Sequence, residues 1–457
     1  MKNFSNVLIM GAGPAGLSAG YVLTQQSVNS VVCEQANAVG GLARTIRKGN
    51  FRFDIGGHRF FTKNDDIHKF IMDLMGDEVI KVKRKSRILF CGKFIDYPLP
   101  IVDSLLCAGI PDCFIIPFDY MYQKIDGRLK GKKIISFEDW VVNQFGRKIY
   151  GLFFKSYSEK IWGMPCDQVS ADWARQRIAG MSLKTTFTKA LFKWKKNSPS
   201  SLIDEFNYFK QGFGRISEKL AEHIQKANRI YIKTRVVQVQ HEEKKIKGVV
   251  ISQKGCLYNI GADYYISSIP ITTLVQIMNP PAPEEVIEAS KNLRYRNLIT
   301  VHLMLNQHKV TSDHWIYIHD RDIGFARIHE PKNWSIEMAP PGKTSLVIEY
   351  FCSRSDKIWN MSDENLIDLT LHDLVKKLCL IEKEKILDGF VFRHPKAYPV
   401  YDIGYETHLY KVYQFLSDFK NLYVIGRCGM FRYNNVDHAI ETGVKAAHNI
   451  LGANYDL

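Results

Sequence analysis

The run Val7-Leu-Ile-Met10 passes directly into Gly11-Ala-Gly13-Pro14-Ala15-Gly16, and this junction restricts the fold more than any other stretch of the chain. Four apolar residues read as a buried strand, helical periodicity follows over 17–25, and a second strand at 30–34 ends in Glu34. A strand, a glycine turn, a helix and a strand closed by a carboxylate open a doubly wound α/β unit that holds a dinucleotide. Each part has a mechanical task. Gly11 permits the tight turn, Gly13 lets the backbone approach a pyrophosphate, and Gly16 brings helix and strand close. The turn stands at a helix start whose free N–H groups face an anion, and Glu34 can accept hydrogen bonds from a ribose.

A second glycine pair stands just downstream, in Val39-Gly40-Gly41-Leu42-Ala-Arg44. Its N–H groups can face phosphate or ribityl oxygens, and Arg44 can reach an anion. Later segments return to the same lobe. The stretches 229–240 and 247–252, around Val237, read as a hairpin, and 262–269 reads as a strand ended by Pro270. The apolar run 421–425 leads into Gly426-Arg427 and a helix over 437–451. Between these, 136–191 has helical spacing throughout and reads as an insertion. The stretches 298–305, 316–328 and 344–351 are rich in β-forming residues and predict a separate sheet.

A chain of 457 residues exceeds one hydrophobic core and predicts several packed lobes. Sixty-two Lys and Arg against forty-seven Asp and Glu leave +15, which favours an anionic partner. The basic residues form no dense stripe interleaved with aromatics, so phosphate-bearing ligands are expected and nucleic acid is not. Lys81-Val-Lys-Arg-Lys85 and Lys193-Trp-Lys-Lys196 read as solvated faces, with weak attraction to a membrane surface left open. The nine Cys lack both the spacing of a metal site and the density of a disulfide scaffold, so they read as reduced, buried thiols and no metal is expected. With no secretory leader, and with 99–118 broken by Asp103, Pro111 and Asp112, a cytoplasmic protein is expected.

Several blocks, in order along the chain, carry a resemblance. They are the Asp54-Ile-Gly56-Gly57-His58-Arg59 turn, Tyr157-Ser-Glu-Lys-Ile-Trp162-Gly163 with Arg177 beyond it, and Asn207-Tyr208-Phe209. Tyr295-Arg296, Gly324-Phe-Ala-Arg327 and Gly426-Arg427-Cys-Gly429-Met-Phe431-Arg-Tyr433-Asn-Asn435-Val436-Asp437 complete the set. Together the chain resembles the UDP-galactopyranose mutase family, flavoproteins related to the amine oxidase and protoporphyrinogen oxidase group. The fold class that follows is α/β, with a discontinuous Rossmann-like FAD-binding domain, an inserted helical domain and an antiparallel β-sheet substrate domain. The expected division is 1–90, 200–280 and 386–457 for FAD, 101–199 for the helical domain, and 91–100 with 281–385 for the substrate sheet.

The resemblance implies FAD held by Gly11, Gly13, Pro14, Ala15, Gly16, Glu34, Gly40, Gly41, Leu42, Arg44, Gly57, His58, Val237, Gly426, Arg427, Asn435 and Val436. It implies catalytic roles for His58, Trp162, Arg177 and Arg296, and a substrate site of Tyr157, Trp162, Arg177, Tyr208, Arg296, Arg327 and Tyr433. Without it, Trp162 and Tyr157 read as packing aromatics, His58 as a structural imidazole, and the arginines as surface cations. The chain departs from the family at Phe61, where a second His is expected, at Phe431 and Phe325, where Tyr is expected, and at Asn435, where Asp is expected. Each lost phenol removes a donor worth about 1.5–3 kcal/mol to a diphosphate.

The activity implied is interconversion of the pyranose and furanose forms of a nucleoside-diphosphate sugar, for cell-surface polysaccharide or glycoconjugate synthesis. It needs reduced FAD, supplied by NAD(P)H or another external reductant, and involves no net redox. The alternative is an FAD-dependent oxidase or desaturase acting on an amine, porphyrinogen or polyene. A homodimer is left open.

Overall fold

A computed structural model describes residues 6–97, 110–129, 131, 133–178 and 205–457. Its first layer is a five-stranded parallel sheet assembled from distant parts of the chain. Strand Val7–Met10 pairs with Ser30–Cys33 on one side and Tyr264–Ser267 on the other, with Arg229–Tyr231 and Leu422–Val424 at the edges. A parallel strand is covered on both faces, which explains why all four residues of Val7–Met10 are buried. Helices Pro14–Gln25, Arg215–Ile224 and Val436–Ile450 pack on one face in a common apolar core.

The expected hairpin is displaced. Arg229–Tyr231 joins the parallel sheet, and the chain turns at Lys233, whose φ of +51° lies in the left-handed region. Thr234–Glu242 and Lys245–Gln253 then form the hairpin, in a four-stranded sheet with Cys256–Ile260 and Met278–Asn279. Val237 falls at its bulge.

The third layer is a seven-stranded, mainly antiparallel sheet: Ile386–Pro399, Tyr295–Leu305, Thr344–Cys352, Arg327–His329, Trp315–Ile318, Ser86–Phe90 and Lys93–Asp96, in that order. Two of these strands, Ser86–Phe90 and Ile386–Pro399, lie in stretches that the sequence division gives to the FAD lobe. The expected single pattern at 316–328 is two strands joined by a turn. Alternation sorts the faces. Ile316, Ile318, Ile328, Leu346, Ile348 and Tyr350 point into a core shared with helix Asp363–His372. The residues between them point the other way.

The helical segment contains Ile110–Leu129, Phe137–Phe145, Ser156–Trp162 and Ala171–Ile178. Ser136 and Asp139 form a capping box at the start of Phe137–Phe145, and Phe137, Val141 and Trp162 sit in its core. The run 193–196 lies outside the described residues. Among those described, no helix is long and apolar enough to cross a membrane. The thiols do not match the expectation of burial: Cys33, Cys166 and Cys352 are buried, but Cys91, Cys256 and Cys379 are exposed on turns and strand ends.

Candidate active site

The glycine turn has the geometry its sequence requires. Gly11 adopts φ +105°, and a Cβ on Gly16 would lie 2.0 Å from the Gly11 carbonyl oxygen, so only glycine lets the helix sit this close to the strand. Gly13 differs: a Cβ there would meet no atom of the protein within 4 Å. The opening lies at the start of helix Pro14–Gln25 and is bounded by Gly41, whose φ is +53°. Gly40 donates its N–H to the Ala12 carbonyl at 2.8 Å and locks the two glycine segments together. Glu34 is buried and accepts the Ala12 and Ala36 N–H groups, each at 2.8 Å, which fixes its carboxylate beside the turn. A helix N-terminus facing free space, a close-approach glycine and an anchored carboxylate fit the ADP half of a flavin dinucleotide.

The turn Ile55-Gly56-Gly57-His58 continues from strand Phe51–Asp54. Buried Asp54 holds its base, accepting from Thr45 Oγ1 at 2.6 Å, from the Phe213 N–H at 3.1 Å and from the Tyr208 hydroxyl. Gly56, at φ +83°, would place a Cβ 3.2 Å from Glu349 Oε2. His58 Nδ1 lies 3.0 Å from the Gly56 carbonyl, and burial pushes the imidazole down to about 4. The ring is therefore neutral at pH 7, Nδ1 carries the proton donated to that carbonyl, and Nε2 is left as an acceptor.

Opposite this turn stands one face of the seven-stranded sheet. Register places Tyr317 across from Arg327, and Arg327 across from Glu349, so the three form a ladder on one face. Arg327 donates to Glu349 Oε2 at 2.6 Å, and Glu349 Oε1 accepts the Gly57 N–H at 3.3 Å. Burial alone would raise the Glu349 carboxyl; Arg327, His329 and the Gly57 N–H outweigh it and hold it down to about 2. Arg327 also stacks over Phe351, at 4.9 Å to the ring centre, and its Nη2 reaches the Tyr398 hydroxyl at 3.5 Å. Tyr398 stacks on Tyr433 with centroids 5.5 Å apart, and Arg427 covers both rings at 5.1 and 5.2 Å while donating to the Asn434 carbonyl. Tyr157 stacks on His319 and meets Tyr317 edge-on at 5.8 Å. Burial raises the phenols of Tyr157 and Tyr398, which stay protonated as hydrogen-bond donors at neutral pH. Tyr157, Tyr317, Arg327, Tyr398 and Tyr433 are all half-buried, so each keeps part of its surface open to solvent.

Lys160 ties the helical segment to this sheet. Its ammonium donates to the carbonyls of Ile318, Asp320 and Ile323 at 3.0, 2.7 and 2.9 Å, clasping the turn that follows Tyr317.

The profile of flavin containing amine oxidoreductases matches residues 14–451, nearly the whole chain. The chain belongs to this family. Among curated proteins this family member is 23% identical to an L-amino-acid oxidase of Demansia vestigiata over 98% of its own length and 87% of that protein's. It is 22% identical to the coproporphyrinogen III oxidase of Staphylococcus aureus, covering 92% of each. Among solved structures it is similar to reduced UDP-galactopyranose mutase, with a TM-score of 0.83, 22% identity, and 99% and 96% of the two chains covered. That likeness shows the fold. Membership makes the protein a flavin-dependent enzyme.

Of the substrate residues expected from sequence, the fold brings Tyr157, Arg327 and Tyr433 together with His58 and Arg427. Three others are placed elsewhere. Tyr208 is buried in the core between Phe209, Phe213 and Trp334, where its hydroxyl serves Asp54. Trp162 is buried in the helical core and meets Tyr433 edge-on at 6.1 Å. Arg296 is 4% exposed, and its guanidinium donates to the Ile161 carbonyl at 3.1 Å, to Ser353 Oγ at 2.6 Å and to the Phe351 carbonyl at 2.8 Å. With its donors spent on the protein, Arg296 is a clamp between lobes. The Arg177 side chain lies outside the described residues. Phe431 is buried at φ +47° among Tyr295, Tyr401 and Tyr405, so the expected phenol at that position would not face the cleft. Phe325 is likewise buried in the sheet core. Asn435 and Val436 begin helix Val436–Ile450, with Asn435 as its N-cap.

Sequence reading missed Glu349, Tyr317 and Tyr398. A signal existed for the first: Glu349 is the single charge in strand Thr344–Cys352 and follows the apolar run Leu346-Val-Ile348, a position that burial permits only with a partner.

Proposed function

We propose that this amine oxidoreductase relative is a mutase interconverting the pyranose and furanose forms of a nucleoside-diphosphate sugar in cell-surface polysaccharide or glycoconjugate synthesis. The observation that carries the reading is the interleaving of guanidinium and phenol groups around the turn at Gly57 and His58. Such a wall offers charge-assisted donors to a diphosphate and suits an apolar substrate poorly. Reduced flavin, when bound, would supply nucleophilic chemistry at an anomeric carbon, and NAD(P)H or another external reductant would maintain it. The chain's own groups do the rest. The amide N–H groups of the Gly13 and Gly41 segments hold the dinucleotide, and the neutral His58 offers Nε2 as an acceptor beside the ring. Arg327, held by Glu349, and the phenols of Tyr157 and Tyr398 donate to the departing diphosphate and stabilise its developing charge. Tyr433 and Arg427 fix the position of Tyr398.

A second reading has an observation in its favour. Glu349 neutralises Arg327, and the guanidinium of Arg296 is engaged within the protein, which reduces the positive charge available to a diphosphate. An oxidase of an amine or porphyrinogen, as the relatives' names suggest, would use a less cationic cleft. Purified protein reduced with dithionite is expected to convert UDP-galactopyranose or another sugar nucleotide to its furanose form, resolved by chromatography, while oxidised protein is inert. Oxygen uptake by oxidised protein with an amine or porphyrinogen, and no isomerisation when reduced, would establish the second reading instead.

A further inference from the structure

Arg84 belongs to the basic run that sequence reads as a solvated face, but its side chain is half-buried and turned onto rings. Its guanidinium carbon lies 4.6 Å from the centre of Tyr97 and 5.3 Å from that of Trp315. Arg59 reaches the same indole at 5.8 Å. Trp315 precedes Tyr317 by two residues on its strand, so it shares the ladder's face, and its indole stacks on Trp334 beside Gly57. Arg59 directly follows His58. The two arginines therefore extend the cleft outward from the flavin-facing turn.

Their chemistry is specific. A guanidinium lying over a ring keeps its in-plane N–H groups directed outward, in a fork that matches two oxygens of a phosphate. Arg84 donates Nε to Ser86 Oγ at 3.1 Å, and among the described residues no carboxylate pairs with it. Arg327 and Arg87, by contrast, pair with Glu349 and Asp313. Both guanidiniums lie over the Trp315 indole, so an anion bound there meets two positive charges. Burial raises the Tyr317 phenol, while Arg84, Arg327 and Arg59 all pull it down, which places the three positive charges around one hydroxyl.

We propose that Arg59 and Arg84, stacked over Trp315, form a subsite for the phosphate groups of the substrate, continuous with Tyr317 and Arg327. The assignment of phosphate rests on the mutase reading; the cation pair and its aromatic support do not. It extends the substrate contacts past Tyr317 to the rings of Tyr97 and Trp315, where sequence places none.

The test is calorimetric titration of FAD-loaded protein with UDP and, separately, with inorganic pyrophosphate, for wild type, Arg84→Gln and Arg59→Gln. Each substitution is expected to weaken both ligands about ten- to one-hundred-fold, the loss of one charged hydrogen-bonding partner, with the flavin spectrum unchanged. Arg59 is exposed, so its variant separates binding from folding. Wild-type binding of UDP that neither substitution alters would overturn the subsite and leave the mutase reading standing. Anion binding lost in both variants, in a protein that isomerises no sugar nucleotide, would keep the subsite and overturn the mutase reading. Wild type that binds neither UDP nor pyrophosphate would overturn both.

Discussion

The pair Arg327–Glu349 shows how one residue's charge state organises the cleft. Glu349 is 1% exposed and holds its proton far less firmly than a free carboxyl, because Arg327 and the Gly57 N–H stabilise the anion. Its folded pKa, about 2, lies below the unfolded value near 4.5, so its contribution to stability is complete above pH 4.5 and is lost as pH falls towards 2. Thermal unfolding across that window should show a loss on the order of 3 kcal/mol from this group. Glu349→Gln should remove that part of the slope and cost about 2–4 kcal/mol at neutral pH, since the half-buried Arg327 is left without its counter-charge. A variant as stable as wild type at pH 7 would refute the pairing. The histidines have the same sign. His58 and His394 are pushed down to about 4 by burial, from near 6.5 unfolded, so protonating the unfolded chain weakens the fold as pH drops from 6.5 to 4. A midpoint unchanged between pH 7 and 4.5 would contradict their burial. At this scale the sequence was least legible. Arg327 and Tyr433 stand out by motif, but Tyr208 and Arg296 carry equal motif weight and turn inward, and only register and burial separate the two outcomes.

Among the elements, the glycines of the first turn divide by what surrounds them. Gly13→Ala adds a Cβ into space empty of protein, at a φ of −75° that alanine accepts, so the apoprotein should keep its unfolding midpoint while FAD affinity falls. Gly16→Ala, 2.0 Å from a carbonyl, should destabilise the apoprotein itself, by about 1–3 kcal/mol. Parallel calorimetry and flavin titration distinguish the two, and equal apoprotein stabilities would contradict the packing. The strand, helix and strand around these glycines were readable from sequence because local period and turn chemistry agree there. The hairpin at 229–253 was not, because a single left-handed residue, Lys233, hands one apolar run to two sheets. The two strands within 316–328 were merged for a similar reason: Lys160, from a distant helix, supplies the donors that stabilise the turn between them.

For the whole molecule, the order of segments was legible and the seams between lobes were not. Strands Ser86–Phe90 and Ile386–Pro399 complete a sheet whose other members lie far away in sequence, a pairing that no local pattern encodes. Arg296 joins that sheet to the end of helix Ser156–Trp162, and a Cβ on Gly163 would lie 2.4 Å from its guanidinium. Arg296→Ala should therefore lower the unfolding midpoint and expose the lobe boundary to protease, with about 3–5 kcal/mol lost from a buried, fully bonded cation. Retained stability with weakened nucleotide binding would instead return Arg296 to the substrate. The central claim, that the assembled cleft breaks and remakes the bond between an anomeric carbon and a diphosphate, has a direct measurement. A sugar nucleotide carrying heavy oxygen in the bridging position should, with reduced protein, scramble the label into the non-bridging positions without net change in flavin redox state. Label that stays in place through prolonged incubation with reduced, ligand-binding protein would contradict the account.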